Sequence, residues 1–373
     1  MFDLPYAGIV YQFLHYLYGM RSLGWDVWYV EDSRSWPYDP MTRCDVSDPS
    51  VNVARISPIL AQHGFGDRWI FRTGTSPRRC YGAGEDALRR LLREADLALN
   101  VTGCQEIREE HTYLPLLVYV QSDPFAYQVR AEEGDPWVRD QLDAHHAHFT
   151  FGELVGRPGC LVPTAGYTWL STRQPVALEL WDCGEPGSRL TTITTWHSGN
   201  KPVYWQGEPY YWTKDREFLR FAEVPTRAAV SIELAVDGDV PERSFLLASG
   251  WILADPAAMV IDVPRYYSYI ANSLGEFTAA RDQYVRPRTG WFSDRSASYL
   301  AAGRPVITQD TGFAEVLPTG EGLFAFSTVE EAVEAVAQVA ANPGRHGAAA
   351  RLIANEYFSA EIVLRDLLAR VGW

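Results

Sequence analysis

The sequence predicts an α/β protein of two consecutive halves, each a parallel sheet covered by helices, facing each other across a cleft, with C-terminal helices packing back. Three observations predict it. Unbroken apolar runs of strand length alternate with segments whose apolar residues recur at helical spacing, the mark of a parallel sheet buried on both faces. The 373 residues exceed what one ordinary core needs. The alternation dissolves once, from about residue 166 to 187, into Thr, Pro, Gly and charged side chains. The expected units are residues 1–170, a linker at 171–187, a second unit at 188–357 and a terminal helix at 358–373.

In the first half, residues 9–23 carry Ile9, Phe13, Leu14, Leu17 and Met20 on one helical face. Gly24 stops that helix, and 26–31 (DVWYVE) reads as a strand. Only residues 1–5 precede the loop Tyr6-Ala7-Gly8, too few for a normal strand and its turn. Either the first strand is very short or the chain starts late. Helices follow at 51–62, 85–94 and 135–146, and strands at 96–101, 114–120 and 148–152. In the second half, strands are expected at 190–195, 229–236, 276–280 and 305–308. The helices are expected at 214–222, 241–249, 266–273, 291–302, 328–341, 343–357 and 359–370.

Composition narrows the function classes. A formal charge of −14 without a Lys/Arg cluster argues against nucleic-acid binding. No apolar run reaches the ~18–20 residues of a membrane span, and no basic segment followed by an apolar one opens the chain, so a cytoplasmic protein is expected. The five cysteines are scattered without a C-x-x-C, which favours reduced thiols over zinc. Walker, dinucleotide, nucleophile-elbow and H-E-x-x-H motifs are absent.

In an open α/β sheet, ligands bind beyond the carboxyl ends of strands, so the residues that follow each strand are the candidates. The most informative stretch is 290–318. Its helix begins Ser293-Asp294-Arg295-Ser296, where free amides and the helix dipole favour a diphosphate and Arg295 adds charge. An acidic N-cap competes with an anion, so Asp294 is expected to point away or to serve as the cap alone. Asp310 and Thr311 follow the strand 305–308 and can bond sugar hydroxyls, with Gly312 permitting close approach. Trp196 follows 190–195, before His197-Ser198-Gly199. It can stack on a base or wall off the donor, and the Gly/Ser loop can bring amides to a phosphate. Glu276 and Arg281 flank another strand, as ribose and phosphate contacts or as a structural ion pair. In the first half, Asp123 lies just after the strand 114–120, a position for a general base. His15 is a base or a partner for Asp123 if its face looks into the cleft, although a lone helical His is more often structural. The cluster His145, His146 and His148 does not match metal spacing on one face. Asp237-Gly-Asp239 offers a metal–diphosphate turn that an ordinary acidic turn explains as well.

The blocks GWFSDRSASYLAAGRPVITQDTGFAEVLPTGEGLFAFSTVEEAVEAV and AGIVYQFLHYLYGMRSLGWDVWYVED resemble the donor and acceptor halves of GT-B glycosyltransferases, which consist of two Rossmann-like domains. Within that fold the chain resembles glycosyltransferases of actinobacterial secondary metabolism, including nucleoside 3′-O-glucosyltransferases of nucleocidin-type clusters. The resemblance implies a UDP- or dTDP-sugar as co-substrate, no cofactor or metal, a small-molecule acceptor such as a nucleoside, and inverting displacement. It leaves a homodimer open. It assigns Ser293, Asp294, Arg295 and Ser296 to the diphosphate, Asp310 and Thr311 to the donor sugar, and Trp251 and Ile252 to the base edge. Glu276 and Arg281 fall in the region of ribose and phosphate contacts, and Tyr6, Gly8 and Gln12 on the acceptor side. Many relatives place a base His in the first Gly loop; here that loop is Tyr6-Ala7-Gly8 and His15 comes later, which favours Asp123.

Overall fold

The computed structural model describes residues 1–74, 76–197 and 202–373. Its second half is built on one six-stranded sheet. In spatial order the strands are Ile252–Ala254, Ile232–Asp237, Leu190–Thr195, Gly275–Thr278, Val306–Gln309 and Leu323–Phe326, all parallel. The chain winds outward from Leu190–Thr195 in one direction and from Gly275–Thr278 in the other. Between these two strands lies the topological switch point, where a crevice opens at the carboxyl ends.

The first half departs from the single sheet expected. The parallel strands Ala98–Val101, Leu117–Gln121, Ala147–Thr150 and Trp169–Ser171 form one sheet. Tyr29–Glu31, Trp69–Arg72 and the antiparallel edge Cys80–Gly82 form another. Residues 1–6 form no strand between them. Their amides are satisfied by a side chain instead: the Glu31 carboxylate accepts the N–H of Phe2 at 2.8 Å and of Asp3 at 2.6 Å. Trp169–Ser171 lies where the Thr- and Gly-rich composition suggested the start of a linker.

Helix Ala7–Ser22 stands between the halves and buries Val10, Leu14, Leu17 and Met20. Helix Ala360–Arg370 returns from the second half and packs along it, with Leu364, Leu367 and Leu368 in a shared core with Tyr16 and Met20. The approach is close: a Cβ on Gly19 would lie 2.6 Å from Leu364 Cδ1. The return is fixed by the backbone, since the Val176 amide donates to Phe358 O and the Ala360 amide to Val176 O. No helix of the described residues is long and apolar enough to cross a membrane.

Candidate functional site

The switch point gathers three cations. Arg295 opens the second turn-facing position of helix Asp294–Ala301 and reaches back into the sheet. Its Nε donates to Glu276 Oε1 at 2.5 Å, Nη1 to Ile193 O at 2.7 Å and Nη2 to Thr278 Oγ1 at 3.1 Å. Glu276 is fully buried, so this is an ion pair taken out of water, stable only while both partners are present. Arg281, just after strand Gly275–Thr278, lies 3.7 Å over the Trp212 ring and donates to the Tyr284 hydroxyl at 3.1 Å. Lys214 precedes helix Asp215–Arg220 and is only 8% exposed. Its ammonium has no ion pair or hydrogen bond among the described residues. Burial, then the charges of Arg295 and Arg281, push its pKa well below the ordinary lysine value. A buried cation without a counter-ion is costly, and an arriving anion relieves that cost.

The first half supplies the opposing wall. Asp123 follows strand Leu117–Gln121 and lies 3.6 Å from Arg281 Nη1. The Tyr284 hydroxyl donates to its Oδ1, and the Ser122 hydroxyl to its Oδ2 at 2.9 Å. Tyr284 stacks on Trp291 with ring centroids 4.2 Å apart, and Trp291 Nε1 donates to Ser122 O at 2.8 Å. Gln12 on helix Ala7–Ser22 donates to Asp294 Oδ2 at 3.2 Å. Burial, then the charge of Asp123, push the Asp294 carboxyl up to about 7. Gly8 lets the same helix approach Tyr266, whose hydroxyl would sit 3.5 Å from a Cβ there. Tyr6 occupies the cap of that helix, 6.1 Å from the Tyr38 ring.

The remaining predicted residues divide clearly. His15 does not face the cleft. It is 3% exposed, its Nδ1 accepts the Ala177 amide at 3.1 Å, and burial alone pushes its pKa down to about 3. That neutral imidazole ties the first helix to the crossover. Trp196 and Trp251 lie in the core of the second half, where their Nε1 groups donate to Glu242 and to Ala222 O, both at 2.9 Å. Ile252 begins the edge strand of the sheet and is partly exposed. Ser293 takes the N-cap position of helix Asp294–Ala301 without a side-chain cap bond. Ser296 is fully buried, its hydroxyl unpartnered. Asp310 Oδ1 accepts the Gly312 amide at 2.8 Å, and the buried Thr311 hydroxyl donates to Trp291 O. Gly312 has φ +95°, and a Cβ there would be 2.7 Å from Leu154 Cδ1; this turn admits glycine alone without strain. Ser198 and Gly199 lie outside the described residues. Asp237 pairs with Arg43 of the first half at 2.9 Å. Among the described residues no group of three or more His, Cys, Asp or Glu is placed to hold a metal ion.

Sequence reasoning did not single out Lys214, Tyr284 or Trp291. One signal was available: of the 33 cationic residues only Lys201 and Lys214 are lysine, so an ammonium was placed twice where guanidinium is the rule. Nothing in the local pattern marks Tyr284 or Trp291, which meet Asp123 and Ser122, respectively, only through the fold.

No family model matches the sequence, and no curated protein matches it. Solved structures do resemble the fold. Anabaena HepE in complex with UDP aligns with a TM-score of 0.50 and 10% identity over 93% of this chain and 100% of that one. AviGT4, a glycosyltransferase involved in avilamycin A biosynthesis, gives 0.46 and 13% identity over 76% of each chain. TarM gives 0.42 and 11% identity over 71% of this chain and 52% of its own, so the chain spans about half of TarM. The likeness to HepE, with the sheet order of the second half, establishes the architecture as two Rossmann-like domains in the GT-B arrangement.

Proposed function

We propose that the protein is an inverting glycosyltransferase that moves a hexose from a UDP- or dTDP-sugar to a hydroxyl of a small molecule, with a nucleoside such as adenosine as the leading acceptor. The observation that carries this reading is the buried, unpaired Lys214 near Arg281 and Arg295 at the switch point, with Asp123 beside Arg281 and Asp294 beside Arg295. Three cations suit a leaving diphosphate, and the carboxylates beside them suit an entering hydroxyl. The HepE structures add support, being complexes with UDP and with UDP-glucose.

In this reading Lys214 and Arg281 hold the diphosphate, and the amides after Ser293 complete its cradle. Arg295, anchored by Glu276, sets the field behind it. Asp310 Oδ2, which has no partner among the described residues, bonds a sugar hydroxyl, and the backbone at Ile252 reads the base edge. Trp291 and Trp212 offer ring faces to the acceptor. The side-chain cations stabilise the leaving group, so the reaction needs no metal. The nucleoside acceptor and the secondary-metabolite setting rest on the resemblance of the sequence blocks, and a cytoplasmic location on the composition of the chain.

The test is donor turnover in EDTA. UDP-glucose and dTDP-glucose are offered with adenosine and a panel of hydroxyl acceptors, and UDP or dTDP release and the glycoside product are followed. Sugar isomerisation without an acceptor points to an epimerase. Tight donor binding without turnover over the whole panel points to a sensor, and loss of turnover in EDTA points to a metal-dependent transferase.

A further inference from the structure

The carboxylates around the cleft are not equivalent. Glu276 Oε1 is engaged by Arg295 while its Oε2 is buried without a partner, and Asp282 is held by Arg286 and the Tyr211 amide. Asp310 Oδ1 is held by its own turn. Both oxygens of Asp123 accept hydroxyls, and Arg281 lies beside it. Both of its oxygens are thus already occupied. Asp294 differs. It occupies the first turn of helix Asp294–Ala301, yet the helix shows no side-chain cap bond. Its Oδ2 accepts only from Gln12 Nε2, and its Oδ1 is buried with no partner.

Two hydroxyls nearby share that condition. Tyr16, 6% exposed on helix Ala7–Ser22, and Ser296, fully buried two residues beyond Asp294, both present oxygens without a partner. Burial and then the Asp294 charge push Tyr16 well above the ordinary phenol range, so it stays a proton donor. Asp294 Oδ1 and the hydroxyl of Tyr16, which lies within reach of the Asp294 charge, are unsatisfied groups that a hydroxyl-bearing ligand can bond.

We propose that Asp294 is the base that takes the proton from the acceptor hydroxyl, with Asp123 positioning Arg281 rather than accepting that proton. The proposal rests on the transferase reading. As the acceptor oxygen bonds to the anomeric carbon, the bond from that carbon to the diphosphate oxygen breaks. The electron pair leaves on the diphosphate, toward Lys214 and Arg281, and the proton passes to Asp294 Oδ1. The groups that face Asp294 are Gln12 and Tyr16 from helix Ala7–Ser22, Asp123, Tyr266 from helix Val263–Ala271, and Arg295 beside it. Burial and the Asp123 charge outweigh Arg295 there, and a base titrating near neutrality is well matched to the task.

The test compares wild type, Asp294→Asn and Asp123→Asn for UDP release from UDP-glucose with adenosine, and for thermal stabilisation by UDP alone. Asp294→Asn is expected to lower kcat by at least about 100-fold with UDP stabilisation unchanged, and Asp123→Asn by less than about tenfold. Wild-type kcat/KM rises with pH through about 7, and that limb disappears in Asp294→Asn. Asp294→Glu keeps a carboxylate and should keep the limb; a flat Asp294→Glu profile overturns the proposal. So does an Asp294→Asn rate within about threefold of wild type, a larger loss in Asp123→Asn, or loss of UDP stabilisation in Asp294→Asn, which would make the residue a donor ligand. If wild type binds UDP but transfers nothing and releases no UDP, the transferase reading itself fails and the base assignment falls with it.

Discussion

Replacing Lys214 by Met is expected to weaken UDP binding without harming the fold. The side chain is 8% exposed and its ammonium has no partner among the described residues, so the free protein loses no contact to that charge and sheds its burial cost. The diphosphate loses one charge-assisted hydrogen bond, about 1.5–3 kcal/mol, or roughly 10- to 150-fold in Kd. Lys214 sits well below its ordinary pKa, and a dianion beside it restores the charged form. Wild type should therefore take up protons on binding UDP, and Lys214→Met should take up fewer. Titration calorimetry in two buffers of different ionisation enthalpy reads both affinity and proton uptake. The stability sign follows from the same shift. A depressed folded pKa contributes stability that is present above the unfolded value near 10.4 and lost as pH falls. The Tm advantage of Lys214→Met should thus be largest near neutral pH and close as pH approaches about 10. A UDP affinity within about threefold of wild type, with proton uptake unchanged, would refute the assignment of Lys214 to the diphosphate.

Glu276→Gln leaves Arg295 buried without its counter-charge and should cost about 3–5 kcal/mol, read as a lowered denaturant midpoint at constant slope. His15→Ala removes the acceptor of the Ala177 amide and should cost about 1–3 kcal/mol, while kcat stays at the wild-type value in the turnover assay. Gly312→Ala forces a Cβ to 2.7 Å from Leu154 Cδ1 at φ +95°. It should cost about 1–3 kcal/mol and lower kcat/KM for the donor through the loop that carries Asp310.

Much of the second half was legible because its strands are apolar runs that declare themselves. Leu190–Thr195 falls on the expected residues, and Val306–Gln309 within one of them. Trp69–Arg72 was missed because it is four residues long and ends on Arg72, a charge buried by pairing with Asp32 and Glu110. Pairing between distant residues leaves no local pattern. The same limit explains Trp196. Its Gly- and Ser-rich neighbourhood suggested an exposed stacking platform, whereas Phe218 and Glu242, from later elements, draw it into the core. Asp294 was legible as a helix-start residue but not as an unpartnered carboxylate, because that depends on Gln12 and Tyr16 crossing from the other half.

The central claim is that this cleft receives a nucleotide-sugar diphosphate. Its most direct test is thermal stabilisation by UDP- and dTDP-sugars in EDTA. With a Kd of about 10 μM, a ligand at about 1 mM stabilises by about 2.7 kcal/mol. The account predicts a clear rise in Tm for wild type and a markedly smaller one for Lys214→Met. No rise with UDP, UDP-glucose or dTDP-glucose at that concentration, or an equal rise in Lys214→Met, would contradict it.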